Sequence, residues 1–384
     1  MKLRHQWLLI PTIIILCILL SGCALRAQAR EVDQLLVMQT MGVDVGGGGV
    51  LLSLSSAAGG DAEADRKPVR LEGRGPSITE ALERIRAGAN EEDLFCAHIG
   101  HLLIGEAAAR QGIAPYLDYV CRSGDLRLSV PVYILRGSTA RDAVLGVGDE
   151  SFGICDALDS VDADLRPRGD GYTATAADIL RDLARSGSAL VCAVSLRPSA
   201  EKDQSAEAGE APDTVLPDGY AVLKDGKLCG YLDREQALGA GFLTGHTGLS
   251  ELAVTDQAGL PVTLMLTGGS CSLEPRFDEE GQLSALDVSI EAEAVLAESA
   301  RGATELSYLQ MMLEHALSEC VREVLQLSKQ WEADFLGLGG QLELLAPGRM
   351  QAQSPDFAAR WPSLPLTVSV SARVTGTGDV EAVP

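Results

Sequence analysis

The sequence predicts an α+β fold, a multidomain mixed α/β ectodomain of two to three small domains with antiparallel sheets and packed helices behind an N-terminal export signal. Three observations predict it. The 384 residues are 46% hydrophobic, enough to bury more than one core and too many for a disordered chain. Segments with apolar alternation at period two interleave with segments at helical spacing along the whole chain, and no solenoid period appears. Residues 198–217, PSAEKDQSAEAGEAPDTVLP, are polar, proline-bearing and almost free of large apolar side chains, so they read as a linker or exposed loop between two units.

The first segment, MKLRHQW, carries Lys2 and Arg4 and no acid. An apolar run from Leu8 to Leu20 follows, interrupted early by Pro11. It falls short of the roughly 20 apolar residues a spanning helix needs. A positive start, a short apolar centre and small residues at the end describe a secretory signal. Leu20, Ser21, Gly22 and Cys23 resemble a bacterial lipobox. Small residues before the thiol admit a membrane peptidase, and the thiol itself accepts a diacylglycerol. Residues 1–22 are therefore expected to be a lipoprotein signal peptide, Cys23 the lipidated first residue of the mature chain, and residues 23–30 a tether. A diacylglycerol and an N-acyl chain on Cys23 would be the only added groups, with no other cofactor, and together they would hold the protein stably on a membrane.

The elements of an N-terminal domain, residues 31–197, follow. QLLVMQTMGVDVG and VLLSLSSAAG read as paired strands turning at the glycines 46–49. Val69 to Glu72 read as an edge strand. Ser77 or Thr79 can cap a helix in which Ile78, Leu82 and Ile85 share a face. AHIGHLLIGE is a buried strand, AARQGIAPYLDYVCRSGDL a helix, break and helix, RLSVPVYILRG a strand and TARDAVLG a short helix. Residues 149–185 are acidic and glycine-rich, with one helix at ATAADILRDLARSG, and ALVCAVSLRP is a strand.

A C-terminal domain, residues 218–376, is expected to hold a possible third subdomain and to leave residues 377–384 as a tail. DGYAVLKDGKLCGYLD is a hairpin turning at Lys224, Asp225 and Gly226. DREQALGAGFLTG is a helix. Two long strands follow, joined at Glu279, Glu280 and Gly281, and Val288, Ile290, Ala292, Ala294 and Leu296 share one face of the second. A long amphipathic helix, with Leu309, Met312, Leu313, Ala316, Cys320 and Val324 at helical spacing, is expected to stop near Gly337. PLTVSVSARVTGTG is the last strand.

The formal net charge of -23 repels nucleic acid and anionic headgroups, so a nucleic-acid partner is not expected. The nine cysteines are widely and irregularly spaced and none forms CxxC. With Cys17 and Cys23 set aside the remainder is odd in number and falls largely in apolar runs, which favours free thiols over a disulfide framework. His98 and His101 form the only close histidine pair, but HxxH is not the helical HExxH zinc spacing, and on a strand the two would face opposite ways. A metal site is therefore not expected. No GxSxG elbow, no phosphate loop and no dinucleotide fingerprint occurs. The chain is not expected to be an enzyme.

Taken in order, several segments resemble the Ger(x)C family of spore germination lipoproteins, the C subunits of nutrient germinant receptors. They are the lipidated Cys23, REVDQLLVMQTMGVD with Gly42 and Asp44, and AHIGHLLIGEAAARQG with His98, Gly105 and Glu106. YLDYVCRSGDLRL follows, with Asp118, Arg122 and Arg127, and then GYAVLKDGKLCGYLD with Gly219, Lys227 and Gly230. Gln330, Asp334 and Gly337 lie at the helix end, and Trp361 precedes the last strand. Ala24, Ser123 and the acidic segment 200–215 depart from the family pattern.

The resemblance implies a non-catalytic ectodomain of small mixed α/β domains on the outer face of the spore inner membrane. It would be held by its lipid and work with membrane-spanning A and B subunits in nutrient sensing. Whether this subunit contacts the small-molecule germinant stays open. His98, Gly105, Glu106 and Arg122 would be framework residues, with an interface role as the alternative. Gly105 would permit a tight strand-to-helix turn and Glu106 would complement the helix dipole. A solute-binding lipoprotein of a transporter is the competing reading, and an exported metal-dependent hydrolase using His98 and His101 a third.

Overall fold

The computed structural model describes residues 35–57, 67–89, 93–148, 152–168, 171–198, 213–299, 305–350 and 354–376. The signal peptide, Leu20, Ser21, Gly22, Cys23, the tether, most of the predicted linker and the tail lie outside them.

In the first half, β1 (Leu35–Gly46) and β2 (Gly49–Ser56) form a hairpin that turns at Gly47 and Gly48, both with positive φ. β3 (Arg70–Gly75) is the edge strand. α1 (Ile78–Gly88) starts at Ser77, whose side chain accepts from the Glu80 N–H. β4 (Asp93–Phe95) pairs with the start of β1. β5 (His101–Ile104) leads into α2 (Glu106–Gln111) and α3 (Ala114–Arg122), then β6 (Val132–Leu135) and α4 (Ala140–Gly146). α5 (Ile154–Arg168) and α6 (Ala176–Ser186) precede β7 (Ser188–Pro198). α5 is a helix beyond those expected from the sequence, in acidic, glycine-flanked surroundings. Its helical signal is Ile154, Leu158, Val161 and Leu165, all buried.

β8 (Asp213–Lys224) and β9 (Lys227–Leu232) form the expected hairpin, but they complete the first sheet. The order is β3-β2-β1-β5-β6-β7-β8-β9, with β4 beside β1. A boundary at residue 218 therefore cuts through β8, and residues 213–217 are strand rather than linker. The cause is backbone pairing: β7 runs antiparallel to β8 from Ser188 opposite Lys224 to Pro198 opposite Asp213. The centre, β1-β5-β6-β7, is parallel. β5 and β6 are buried at every position, as expected of strands covered on both faces. Alternation along β5 divides the cores. Leu102 and Ile104 face α1, α2 and α3, whereas Leu103 faces α4 and α5.

In the second half, α7 (Arg234–Thr244) opens with an Asp233–Gln236 capping box and ends at left-handed Gly245. β10 (Ser250–Thr255), β11 (Pro261–Phe277) and β12 (Leu283–Ser299) run antiparallel. α8 (Leu306–Gln330) covers their buried face. It ends before Gly337 because Glu332 takes a positive φ of 50° and the chain turns back. α9 (Leu338–Leu345), α10 (Pro347–Met350), α11 (Ser354–Arg360) and a 3-10 turn (Trp361–Ser363) lead to β13 (Leu366–Thr375), which pairs parallel to β12. This core also takes in Leu190, Tyr220, Val222 and Leu232 from β7, β8 and β9, so the two sheets share one apolar interface.

Candidate functional site

The motif residues of the first sheet converge on the start of α4. Asp44, at the end of β1, is 5% exposed and accepts from the Ala140 N–H at 2.9 Å and the Arg141 N–H at 2.8 Å. Thr139 Oγ1 accepts from the Asp142 N–H at 3.0 Å and its carbonyl accepts from the Ala143 N–H at 3.4 Å. Three of the orphan donors at the helix start, the N–H groups of Ala140, Arg141 and Asp142, are thereby satisfied, and the Ala143 bond is the first of the helix itself. Burial pushes the Asp44 carboxyl up, with those two backbone N–H groups opposing.

Gly105 is glycine for a different reason from the one expected. Its φ of -64° suits any residue, but a Cβ there would overlap Asp44 Oδ1. Gly42 is required by the approach of α4, whose Val144 Cγ2 would lie 2.9 Å from a Cβ. Glu106 accepts from the Gly137 N–H at 2.6 Å and from Arg110 Nη2 at 2.7 Å. Burial acts to raise its carboxyl, but Gly137, Arg110 and Tyr231 outweigh it and leave it lowered. These four residues hold the β1, β5 and β6 ends to their following helices.

A second group ties the hairpin of β8 and β9 to the second half. Gly219, at φ +73°, sits where a Cβ would overlap the Leu232 carbonyl. A Cβ at Gly230 would lie 2.6 Å from the Trp331 ring, so the absent side chain lets that indole lie on the strand. Lys224 Nζ donates to the Trp331 carbonyl at 2.9 Å. Lys227 is exposed at the start of β9. Gln330 is exposed at the last residue of α8.

The third group shapes the entry to α9. Asp334, 6% exposed, accepts from the N–H groups of Leu338 and Gly339, each at 2.8 Å. Burial pushes its carboxyl up to about 6, against those backbone bonds and the charge of Arg185. Gly337 precedes the helix at φ +65°. Trp361 is fully buried, its Nε1–H donating to Ser328 Oγ at 2.9 Å while Ser328 donates to the Ala333 carbonyl at 2.6 Å.

Asp334 also lines a groove of about 1070 Å³ between the two halves. One wall carries Tyr172, Arg181, Asp182 and Arg185, the other His246 and the turns around α9. Tyr172 and His246 stack across it, 3.9 Å between centroids and 14° from parallel. Arg185 Nη2 donates to the Gly340 carbonyl at 2.9 Å, and a Cβ at Gly340 would overlap the guanidinium. Tyr172, Arg185, His246 and Gly340 fall in no motif, so nothing in their local sequence marks them. Only the docking of α6 against α9 brings them together.

The remaining motif residues are on the surface. His98 is exposed in the turn before β5, its ring 5.6 Å from that of Phe95. Arg122 pairs with Asp118 at 2.9 Å on α3, both side chains more than half exposed. Arg127 is exposed as well. His98 and Arg122 therefore brace no core, and the framework role expected for them is carried by Gly105 and Glu106. His101 is buried, apart from His98, and lies against α5 beside Cys155 and Asp159. Burial, together with Asp159 and Asp156, pushes the Cys155 thiol up to about 12. The cysteines of the described residues are all free thiols.

Comparison with known proteins places this geometry. Residues 28–144 match the family described as spore germination protein N-terminal domain, and residues 218–378 match spore germination B3/GerAC like, C-terminal. No curated protein matches the chain. A solved structure, the crystal structure of the GerBC protein, is similar over 87% of this chain and 96% of that one, at 15% identity and a TM-score of 0.54. That likeness shows a shared fold.

Proposed function

Because this chain belongs to the spore germination family defined by its GerAC-like N- and C-terminal domains, we propose that it is the lipid-anchored C subunit of a nutrient germinant receptor. It acts as a non-catalytic scaffold beside membrane-spanning A and B subunits, on the outer face of the spore inner membrane. The observation that carries this reading is the pair of family matches in chain order, together with the shared fold over 87% of the chain. The internal geometry supports it, since Asp44 and Asp334 spend their carboxylates on backbone N–H groups that fix helix starts, and Glu106 spends its own on the Gly137 N–H in the turn before α4 and on Arg110. Attachment would come from lipid on Cys23. Among the described residues no helix is long and apolar enough to cross a membrane.

The test is genetic. Spores lacking the gene should fail to germinate through the affected receptor when given its nutrients, and spores carrying Cys23→Ala should release or misplace the protein. Normal germination in the deletion strain would overturn the subunit reading. Membrane-retained Cys23→Ala protein with unchanged germination would overturn the anchor. A second reading, capture of a small solute for a transporter, is favoured by the groove between the sheets. Genes for a multi-span transporter-like protein and a larger receptor subunit next door would decide for the receptor.

A further inference from the structure

Beneath α5, on the face of the first sheet away from α1, lies a polar cluster of which only His101 falls in a motif segment. His101 on β5 is 3% exposed, and its Nε2 lies 3.0 Å from Asp159 Oδ1. Cys155 Sγ lies 3.9 Å from the other oxygen of the same carboxylate. Cys155 and Asp159 are one turn apart on α5 and so lie on the same side of it, Cys155 buried and Asp159 at the solvent edge. One nitrogen, one sulfur and one oxygen thus lie within 4.8 Å of one another.

Proton accounting around His101 shows what this arrangement requires. Tyr133 has a single O–H, and it donates to Asp162 Oδ1 at 2.8 Å. Thr173 Oγ1 donates to the same oxygen. The Tyr133 oxygen, 3.3 Å from His101 Nδ1, is then left to accept from an Nδ1–H. In that tautomer Nε2 carries a lone pair, and it points at a carboxylate. Two acceptors 3.0 Å apart need a cation shared between them, either a proton or a metal ion. Two further observations favour the metal. A thiol stands third at the same point, and it is held there by the fully buried Thr40 Oγ1, at the β1 position paired with His101, which hydrogen-bonds the Cys155 side chain.

We infer that His101, Cys155 and Asp159 bind a borderline divalent cation, Zn²⁺ foremost, with water in the fourth position. The donor set of imidazole, thiolate and carboxylate is the one zinc takes. Ligands at 2.0–2.3 Å in a tetrahedron stand about 3.3–3.8 Å apart, so the nitrogen–oxygen pair, now 3.0 Å apart, would open slightly and the sulfur, within 4.8 Å, would move in by up to about 1 Å to close on an ion. Tyr133 supplies the outer hydrogen bond that orients a ligating histidine. The Asp159 side chain is 68% exposed and opens the site to solvent, which gives the ion a path in and the thiol proton a path out. A metal here would staple α5 to β5. The inference does not depend on the receptor role.

The test uses the full chain purified in detergent, stripped with chelator, with the exposed Cys121 and Cys229 replaced by serine. Titration with Co²⁺ should give one equivalent bound with a thiolate-to-cobalt absorption band, which Zn²⁺ then displaces. Cys155→Ser should abolish the band. Asp159→Asn, at an exposed position that leaves folding intact, should weaken binding at least tenfold. Tyr133→Phe should weaken it about 10- to 100-fold through the lost outer hydrogen bond. Absence of stoichiometric binding, or a cobalt spectrum unchanged by Cys155→Ser, overturns the inference. So does an NMR spectrum in which His101 holds protons on both nitrogens with zinc present, because the shared cation is then a proton.

Discussion

Asp44 and Gly105 give the sharpest test of how the first domain is held together. Asp44→Ala strands two N–H groups at the start of α4, that of Ala140 in a buried setting and that of Arg141 in a partly buried one. Each orphaned donor costs about 1–3 kcal/mol, so the pair costs about 3 kcal/mol after relaxation. Gly105→Ala acts on the same carboxylate from the other side, since its Cβ would overlap Asp44 Oδ1 and drive it off the helix. Its cost is also about 3 kcal/mol. Both changes remove one interaction, so the double variant should cost about 3 kcal/mol rather than about 6, a coupling of about 3 kcal/mol. Denaturant unfolding of the four proteins measures the cycle. Hydrogen exchange of the peptide over residues 139–146 measures it locally, with the Ala140 and Arg141 amides losing about a hundredfold protection in every variant. Additive costs, or an Asp44→Ala penalty below about 1 kcal/mol, would refute the shared-carboxylate account.

Three further outcomes are expected. The Asp334 carboxyl is raised to about 6, so stability is fully present below its unfolded value of 3.8 and is lost as pH rises through about 6. Relative to Asp334→Asn, which cannot titrate, the wild type should lose up to about 3 kcal/mol between pH 4 and pH 7, and a flat difference in denaturation midpoints would contradict the assignment. Gly230→Ala should displace Trp331, whose ring would stand 2.6 Å from the new methyl, at a cost of about 1–3 kcal/mol and with a changed tryptophan emission; unchanged emission and stability would show that the strand yields instead. Arg122→Ala removes only an exposed pair with Asp118 and should change stability by less than about 1 kcal/mol. If germination nevertheless fails in that variant, Arg122 acts through a partner, and a large loss of stability would contradict the surface placement.

Much of the fold was legible in the sequence because its signals are local. Caps, turn glycines and apolar spacing specify α1, the β8–β9 hairpin and the long β11–β12 pair before any tertiary contact forms. α5 escaped because its flanking glycines and acids outweighed a weak apolar stripe. The end of α8 falls before Gly337 because Glu332 takes a positive φ, next to a Trp331 whose ring packs on Gly230 of a strand far away in the sequence. Polarity marks exposure, whereas strand pairing decides which sheet a segment joins, so residues 213–217 are strand and β8 and β9 complete the first sheet although the C-terminal family match begins at residue 218.

The sequence by itself determined the α+β class, the order of elements, the family resemblance and the expectation of a lipid on Cys23, all of which rest on neighbouring residues. The tertiary structure alone decided why the motif residues are the residues they are. Gly105 is glycine because a carboxylate from β1 occupies the space of its side chain, and Asp334 holds a raised carboxyl because the fold buries it. His101 stands apart from His98 yet beside Cys155 and Asp159, since β5 and α5 meet only when the sheet is covered. Local chemistry follows from chain order, but burial and close approach exist only once distant segments have packed.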